Sequence, residues 1–284
     1  MAQRVALITD STCDIPSGWK EQYRIHFVPL TIIFGSEQYL DGIEMTAIQF
    51  YERLKVDPQH PSTSQPTPKA FLDAYTQAAD EGASEILTVT ISSGLSGTYQ
   101  SACTAAKDSP VPVHVMDSKE TSMALGWQVI AAARAQENGG RLAEMVAAVE
   151  KVHRNMAFFV SLDTIEYLAR GGRISDAARF LDSVLHIKPM IYVKNETGTV
   201  GASIPARSRK SALQSLPKEF FHHLASGQNL HMSVMHTDAL AEAEEMAEII
   251  RNEQSPFELM VGIGAPVLGV HVGRGAIGLC GFRD

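Results

Sequence analysis

The sequence predicts an α/β protein of two domains, in which a layered domain with a parallel sheet precedes an α+β domain with a small mixed sheet. In the first half, short apolar runs alternate with segments of helical periodicity, which is typical of parallel βαβ units. In the second half the pattern changes, and a candidate β-hairpin lies between helical segments. The chain has 284 residues, which is enough for two packed domains.

The first half contains the elements of the layered domain. Apolar runs predict strands at residues 4–9, 26–34, 85–91 and 111–116. Helical periodicity predicts helices at residues 46–54, 68–81, 97–108, 122–137 and 142–152. In layered α/β sheets, ligands bind at the carboxyl ends of the strands. Two segments rich in Ser and Thr follow strands in that position, at residues 10–12 and 92–98, and are candidates for a binding site.

The second half contains the elements of the α+β domain. Strands are predicted at residues 157–162, 188–193, 200–204, 231–236, 257–263 and 277–281, with the hairpin turn at 195–198. Helices are predicted at 175–185, 208–225 and 239–252, and a further helix ends at Gly171 and Gly172. The best boundary lies between residues 155 and 156, which predicts domains at 1–155 and 156–284.

Composition excludes several classes of function. The net charge is −8 and no basic run exists, so a nucleic-acid partner is not expected. The three cysteines, Cys13, Cys103 and Cys280, lie far apart without a CxxC pair, which argues against a zinc site or a disulfide framework.

The segment at residues 259–272 is apolar but too short to span a membrane, and it contains Pro266. We interpret it as a buried core element. The N-terminus enters a strand-like run directly and lacks the apolar region of a signal peptide, so we expect a cytoplasmic protein without stable membrane insertion.

Residues 273–278 match the dinucleotide-binding fingerprint only as a string of letters. That fingerprint needs a following helix, a second strand and a distant acidic residue, which residues 279–284 cannot supply. The chain also lacks a Walker phosphate-binding loop, so we expect no nucleotide cofactor.

Two turns and two basic clusters remain as candidate anion sites. The SSGLSG turn at residues 92–97 offers hydroxyls and free backbone N–H groups, although for this turn taken alone a plain helix cap is the better explanation. The TSQPTP segment at 63–68 has the same ambiguity. Solvated surface is the default interpretation of the arginines at positions 170, 173 and 179 and of the basic cluster that begins at Arg207. A GlyGly turn that immediately presents an arginine also suits an anion clamp.

A serine hydrolase, with Ser93 as nucleophile and His271 as base, is the third candidate class of function. The GxSxG pattern of a nucleophile elbow is absent from the chain, and spacing identifies no third member of a triad. The hydrolase therefore stays a minor alternative.

Eight segments in order resemble the DegV family, and together they run through nearly the whole chain. They are ITDSTCDIP, TSQPTP, ISSGLSGTYQSA, MDSKETSMALG, YLARGGRIS, KPMI, PARSRKSAL and GAPVLGVHVGRGAIG. The resemblance implies two α/β domains that enclose a fatty acid, with no cofactor and no metal.

The resemblance also implies roles for individual residues. It places the fatty-acid carboxylate near Thr63, Ser92 and Ser93, and it places Arg173 and His271 near the head group or the site of phosphoryl transfer. Arg207 matches a basic position of the family pattern, which implies a contact with a partner or with the phosphate.

Some members of the family present the bound acid to a separate fatty acid kinase subunit, which makes an acyl phosphate for phospholipid synthesis. The resemblance therefore implies a binding subunit that is not an enzyme alone. A lipid-binding module without a kinase partner is the first alternative.

Elementary energetics agree with a carrier. Burial of about 14 methylenes at roughly 0.8 kcal/mol each contributes about 11 kcal/mol before the ordering costs. The head group then needs only a few neutral donors, which leave the carboxylate reactive toward a phosphoryl donor. We therefore expect Arg173 to lie beside the carboxylate without forming a tight bidentate pair with it.

Overall fold

Two sheets of different kinds organise the chain. The computed structural model, which describes residues 4–183 and 187–284, places a four-stranded parallel sheet in the first half and a six-stranded mixed sheet in the second. The predicted α/β architecture of two domains is confirmed. The mixed sheet, expected to be small, is the larger of the two.

The strands in chain order are β1 (Val5–Asp10), β2 (His26–Val28), β3 (Thr31–Phe34), β4 (Glu37–Leu40), β5 (Ser62–Ser64), β6 (Glu85–Thr90), β7 (Val113–Asp117), β8 (Ala157–Ser161), β9 (Met190–Val193), β10 (Val200–Ala202), β11 (Leu230–His236), β12 (Glu258–Ile263) and β13 (Ile277–Arg283).

The α-helices are α1 (Ser17–Gln22), α2 (Ala47–Val56), α3 (Pro68–Asp80), α4 (Thr98–Ala106), α5 (Ser122–Glu137), α6 (Leu142–Asn155), α7 (Glu166–Arg170), α8 (Arg209–His223), α9 (Leu240–Gln254) and α10 (Pro266–Val272). Two 3₁₀ segments cover Ser11–Cys13 and Ser175–Ser183.

The parallel sheet has the strand order β2-β1-β6-β7 and is covered on both faces. On one face, Phe71 and Tyr75 of α3 pack with Ile8 of β1. On the other face, Trp127 of α5 joins Leu7 in an apolar cluster that continues into the mixed sheet. Burial on both faces explains why the two central strands, β1 and β6, are mostly apolar in the sequence.

The mixed sheet has the strand order β10-β9-β8-β13-β11-β12. Neighbouring strands are antiparallel except for β11 and β12, which pair in parallel. The predicted hairpin is confirmed as β9 and β10, which pair from Val193 with Val200 onward. Phe158 and Phe282 of this sheet belong to the same apolar cluster as Trp127, so the two domains share part of their core.

The single strand predicted at residues 26–34 is wrong. The chain forms β2 there, breaks at Pro29 and then forms β3 in another sheet, because proline has no N–H to donate to a ladder. This third sheet has the order β4-β3-β5. β4 and β5 are not predicted from the sequence, because their polar sequences EQYL and STS show no apolar periodicity.

The apolar segment at residues 259–272 is divided between two elements. The edge strand β12 takes its first part, and α10 begins at Pro266, a residue that fits the first position of a helix. The helix predicted at 175–185 is a 3₁₀ segment over Ser175–Ser183, and positions 184 and 185 lie outside the described residues. Among residues 4–183 and 187–284, no helix is long and apolar enough to cross a membrane.

Candidate functional site

A cavity of about 330 Å³ lies between the mixed sheet and the carboxyl ends of the parallel strands. This volume is in the usual range for sites that bind small molecules. The mixed sheet supplies a largely apolar wall, with side chains that include Phe158, Val160, Ile191, Val193, Val200 and Met235. The parallel-sheet domain supplies loops with hydroxyl groups on the opposite side. The cavity is therefore suited to a long apolar ligand with a polar end.

One polar end of the cavity is formed by Thr63 and His271. Thr63 Oγ1 lies 2.9 Å from His271 Nε2, within hydrogen-bond distance. Pairing of β5 with β3 holds Thr63 opposite Ile32, and the last turn of α10 carries His271. A Cβ atom at position 171 would clash with Nδ1 of His271, so Gly171 is needed for the ring to lie where it does.

His271 is held neutral by its surroundings. Burial, together with the nearby charges of Arg173 and His60, lowers the pKa of His271 to about 4. Within the described part of the chain, Nδ1 of His271 is buried without a hydrogen-bond partner. A buried lone pair without a partner costs less free energy than a buried N–H group without one. This difference favours the tautomer of His271 that carries its proton on Nε2.

Arg173, which the family resemblance places near the head group, lines the cavity, but some of its donors are already used in hydrogen bonds. Its Nη1 donates to the carbonyl oxygen of Gly171 at 2.6 Å, and its Nε donates to the carbonyl oxygen of Leu95 at 3.2 Å. The guanidinium therefore joins the GlyGly turn to the SSGLSG turn. It adds a positive charge near the cavity, but two of its nitrogen atoms already donate to carbonyl oxygens of the protein.

The two serines predicted to bind the carboxylate have other partners. Ser92 Oγ donates to the carbonyl oxygen of Gly198 at 2.8 Å, and Ser93 Oγ donates to Asp117 Oδ2 at 2.5 Å. Neither Ser92 nor Ser93 is among the described residues that line the cavity. Their hydroxyls hold the turn against the hairpin β9–β10 and against the end of β7.

Ser96, which the sequence analysis passed over, does line the cavity. The turn winds so that the Ser96 N–H donates to the Ser92 carbonyl oxygen at 3.1 Å, which brings Ser96 one helical turn further along. Its hydroxyl lies 2.9 Å from Thr98 Oγ1, and Gln65 lines the cavity nearby. The letters SSGLSG contain all three serines, but only the winding of the turn decides which one faces inward.

Arg207 is exposed and lies outside the cavity lining of the described chain. No group of three or more His, Cys, Asp or Glu side chains suitable for a metal ion occurs in residues 4–183 and 187–284. Cys13 and Cys280 are free and fully buried, and burial raises the pKa of both thiols.

Comparison with known proteins identifies the family. The family model described as "Uncharacterised protein, DegV family" matches residues 4–284. The chain belongs to the DegV family. A DegV domain-containing protein of Streptomyces coelicolor is 34% identical over 281 residues, which cover 98% of each chain. Protein DegV of Bacillus subtilis is 31% identical over 280 residues, or 97% of this chain and 98% of the relative.

Solved structures of DegV proteins have the same fold. A fatty-acid-binding DegV family protein from Thermus thermophilus superposes with a TM-score of 0.92 at 30% identity, covering 99% of this chain and 100% of the other. DegV of Bacillus subtilis, described as a fatty acid binding protein, gives a TM-score of 0.91 at 28% identity with 100% of both chains covered. A stearic-acid-binding protein from Eubacterium ventriosum gives 0.87 at 25% identity, covering 99% and 98%.

Proposed function

We propose that this DegV-family protein binds a long-chain fatty acid in the cavity between its two domains, with the carboxylate beside Thr63. The observation that carries the proposal is the cavity itself, which has an apolar wall and a polar end where Thr63 and His271 meet. The description of three structural neighbours as fatty-acid-binding proteins supports the same ligand class.

The hydrogen-bond directions at the polar end suit a carboxylate. If Nε2 of His271 carries the proton, it donates to Thr63 Oγ1 and leaves the threonine hydrogen free to point into the cavity. A carboxylate, which only accepts hydrogen bonds, then receives that hydrogen. Ser96 and Gln65 supply further neutral polar groups at the cavity wall. In this proposal Ser92 and Ser93 act indirectly, because they hold the turn that presents Ser96.

We further propose that the bound acid is phosphorylated by a separate kinase subunit. A carboxylate held by neutral hydroxyls keeps its charge available for attack on phosphorus, whereas a bidentate arginine would withdraw it. Hydrogen bonds to two carbonyl oxygens hold the guanidinium of Arg173 in place at the cavity. Its fixed positive charge is suited to stabilise the negative charge that develops as the phosphoryl group arrives. Arg207, exposed outside the cavity, is the candidate contact for the partner or its phosphate.

A hydrolase is disfavoured by the partners of its candidate residues. Ser93 is bonded to Asp117, and Nε2 of His271 is paired with Thr63. The low pKa of His271 makes it a weak base, and no described residue orients its Nδ1 atom. A lipid-binding module without a kinase remains the second candidate, since the cavity alone is sufficient for it.

One experiment separates these functions. The protein loaded with stearic acid is incubated with ATP and with protein fractions from its source cells, and acyl phosphate is trapped with hydroxylamine. The kinase-subunit proposal predicts acyl hydroxamate only when protein, ATP and a fraction are combined. Turnover of activated acyl esters by the isolated protein, abolished in Ser93→Ala, would instead establish the hydrolase.

An Arg173→Ala variant refines the kinase test. We expect it to slow hydroxamate formation much more than it weakens fatty-acid binding, because its charge acts mainly on the transferring group. Equal losses of binding and transfer would contradict this role.

A further inference from the structure

The cavity has a second polar group away from Thr63 and His271. Thr121, Ser122, Asp14 and His236 line it near the first turn of α10, whereas His271 lies in the last turn. The N–H of Ala265, immediately before α10, donates to Asp14 Oδ1 at 2.8 Å, which ties this group to the start of the helix. Ala265 and His271 are six positions apart, which corresponds to about 9 Å along a helix. A ligand with its carboxylate at Thr63 would therefore meet this second group several carbons along its chain.

Thr121 is the strongest candidate for a ligand contact in this second polar group. Its Oγ1 atom is buried and, in the part of the chain that the structure describes, has no hydrogen-bond partner. Although Thr121 precedes the first residue of α5, its side chain makes no capping bond. A buried hydroxyl without a partner costs about 1–3 kcal/mol, so this atom marks a place for a polar group of a ligand or for water.

His236 and Asp14 define what such a group would be. Nδ1 of His236 accepts the N–H of Ala239 at 3.3 Å, and burial lowers the pKa of His236, so the neutral ring carries its proton on Nε2. Asp14 is fixed by hydrogen bonds from Ser122 Oγ at 2.6 Å and from the N–H of Ala265. The group thus offers a donor, an acceptor and a hydroxyl.

We propose that Thr121, His236 and Asp14 form a subsite for a hydroxyl group carried near the middle of an acyl chain, which makes hydroxylated long-chain fatty acids ligands of this protein. A hydroxyl both donates and accepts, and so matches the mixture of groups in the subsite. A second carboxylate would be repelled by Asp14 whenever that residue is ionised. The inference rests on the proposed fatty-acid binding and specifies its ligand class.

The test compares the binding of two acids to the unsubstituted protein and to three variants. Delipidated protein is titrated with stearic acid and with a hydroxystearic acid whose hydroxyl lies near the chain centre. Thr121→Val removes the unpartnered hydroxyl at nearly constant volume. Thr90→Val removes another buried, unpartnered hydroxyl, which in the described structure does not line the cavity, and serves as control. Thr121→Ser, which keeps the hydroxyl, guards against an effect of substitution alone.

The proposal predicts that Thr121→Val weakens binding of the hydroxy acid by about 2- to 10-fold while binding of stearic acid stays within twofold. Thr121→Ser and Thr90→Val should both behave as the unsubstituted protein. Equal effects of Thr121→Val on the two acids, or no effect on either, would overturn the subsite and leave fatty-acid binding intact. Failure of the unsubstituted protein to bind either acid would overturn the proposed function itself.

Discussion

Thr63 and His271 form a hydrogen-bonding pair at 2.9 Å across 208 positions of sequence. Thr63 belongs to β5 of the three-stranded sheet, and His271 belongs to α10. Val270 of α10 packs in one apolar cluster with Ile32 and Phe50, which holds the helix against this sheet. The polar end of the cavity is therefore built from both halves of the chain, and neither half alone could form it.

Thr63→Val tests the direct contact with the carboxylate. The change removes one hydrogen bond at nearly constant volume, so we expect binding of stearic acid to weaken by about 0.5–1.5 kcal/mol. Titration of delipidated protein, with Thr90→Val as control, measures the difference. A loss above about 4 kcal/mol in a folded variant would mean that the head group, and not the apolar tail, dominates the affinity.

Ser96→Ala and Ser93→Ala distinguish the cavity-facing serine from its neighbour. Ser96 lines the cavity, whereas the Ser93 hydroxyl is bonded to Asp117. We expect Ser96→Ala to weaken fatty-acid binding by about 0.5–1.5 kcal/mol, and Ser93→Ala to have a smaller effect on binding. The same titration measures both. A larger effect at Ser93 would show that the turn presents a different serine when the ligand is bound.

Three features of this site could be foreseen from the sequence, and the winding of the turn could not. The family resemblance implies that Thr63, Arg173 and His271 lie near the head group, and all three line the cavity, although their part in binding stays a prediction. The choice among Ser92, Ser93 and Ser96 depends on the path of a glycine-containing turn. Residue type and spacing do not encode that path.

The fold shows the same division. Strands buried on both faces, such as β1 and β6, are mostly apolar and were predicted with nearly correct bounds. β5 is a three-residue polar strand whose pairing with β3 depends on tertiary contacts, so no periodicity indicates it. Among the described residues the Thr121 hydroxyl has no hydrogen-bond partner, which likewise depends on the path of the neighbouring backbone and not on residue type.

Gly171→Ala should displace the imidazole ring of His271. The added Cβ atom would clash with Nδ1 of the ring, which must move away from Thr63. We expect the pKa of His271, followed by NMR, to rise from about 4 toward its usual value as the ring gains solvent. Gly18→Ala is the control, because a Cβ atom there meets no atom of the described residues within 4 Å apart from its chain neighbours and its own helix backbone. An unchanged pKa in Gly171→Ala would show that the ring tolerates the contact.

His271 also predicts a dependence of stability on pH. Its folded-state pKa, about 4, lies below the usual 6.5, so the unfolded chain binds more protons between these values. Its contribution is fully present above about pH 6.5 and is lost as the pH falls toward about 4. Asp14 acts in the opposite direction, because burial raises its pKa to about 7.

The effect of His271 is isolated by comparison with His271→Gln, which keeps a donor but does not titrate. We expect the difference in free energy of unfolding between the two proteins to change between about pH 6.5 and about pH 4 and to be constant above that range. Chemical denaturation at several pH values measures it. A constant difference throughout would contradict a neutral, buried His271.

The most direct test of the central claim is mass spectrometry of the lipid extracted from the purified, denatured protein. An unrelated protein purified in the same way supplies the background. We expect a long-chain fatty acid at a substantial fraction of one molecule per chain, because the cavity has an apolar wall and one polar end suited to a carboxylate. An extract without long-chain acids, from protein that also fails to bind added acid, would contradict the account.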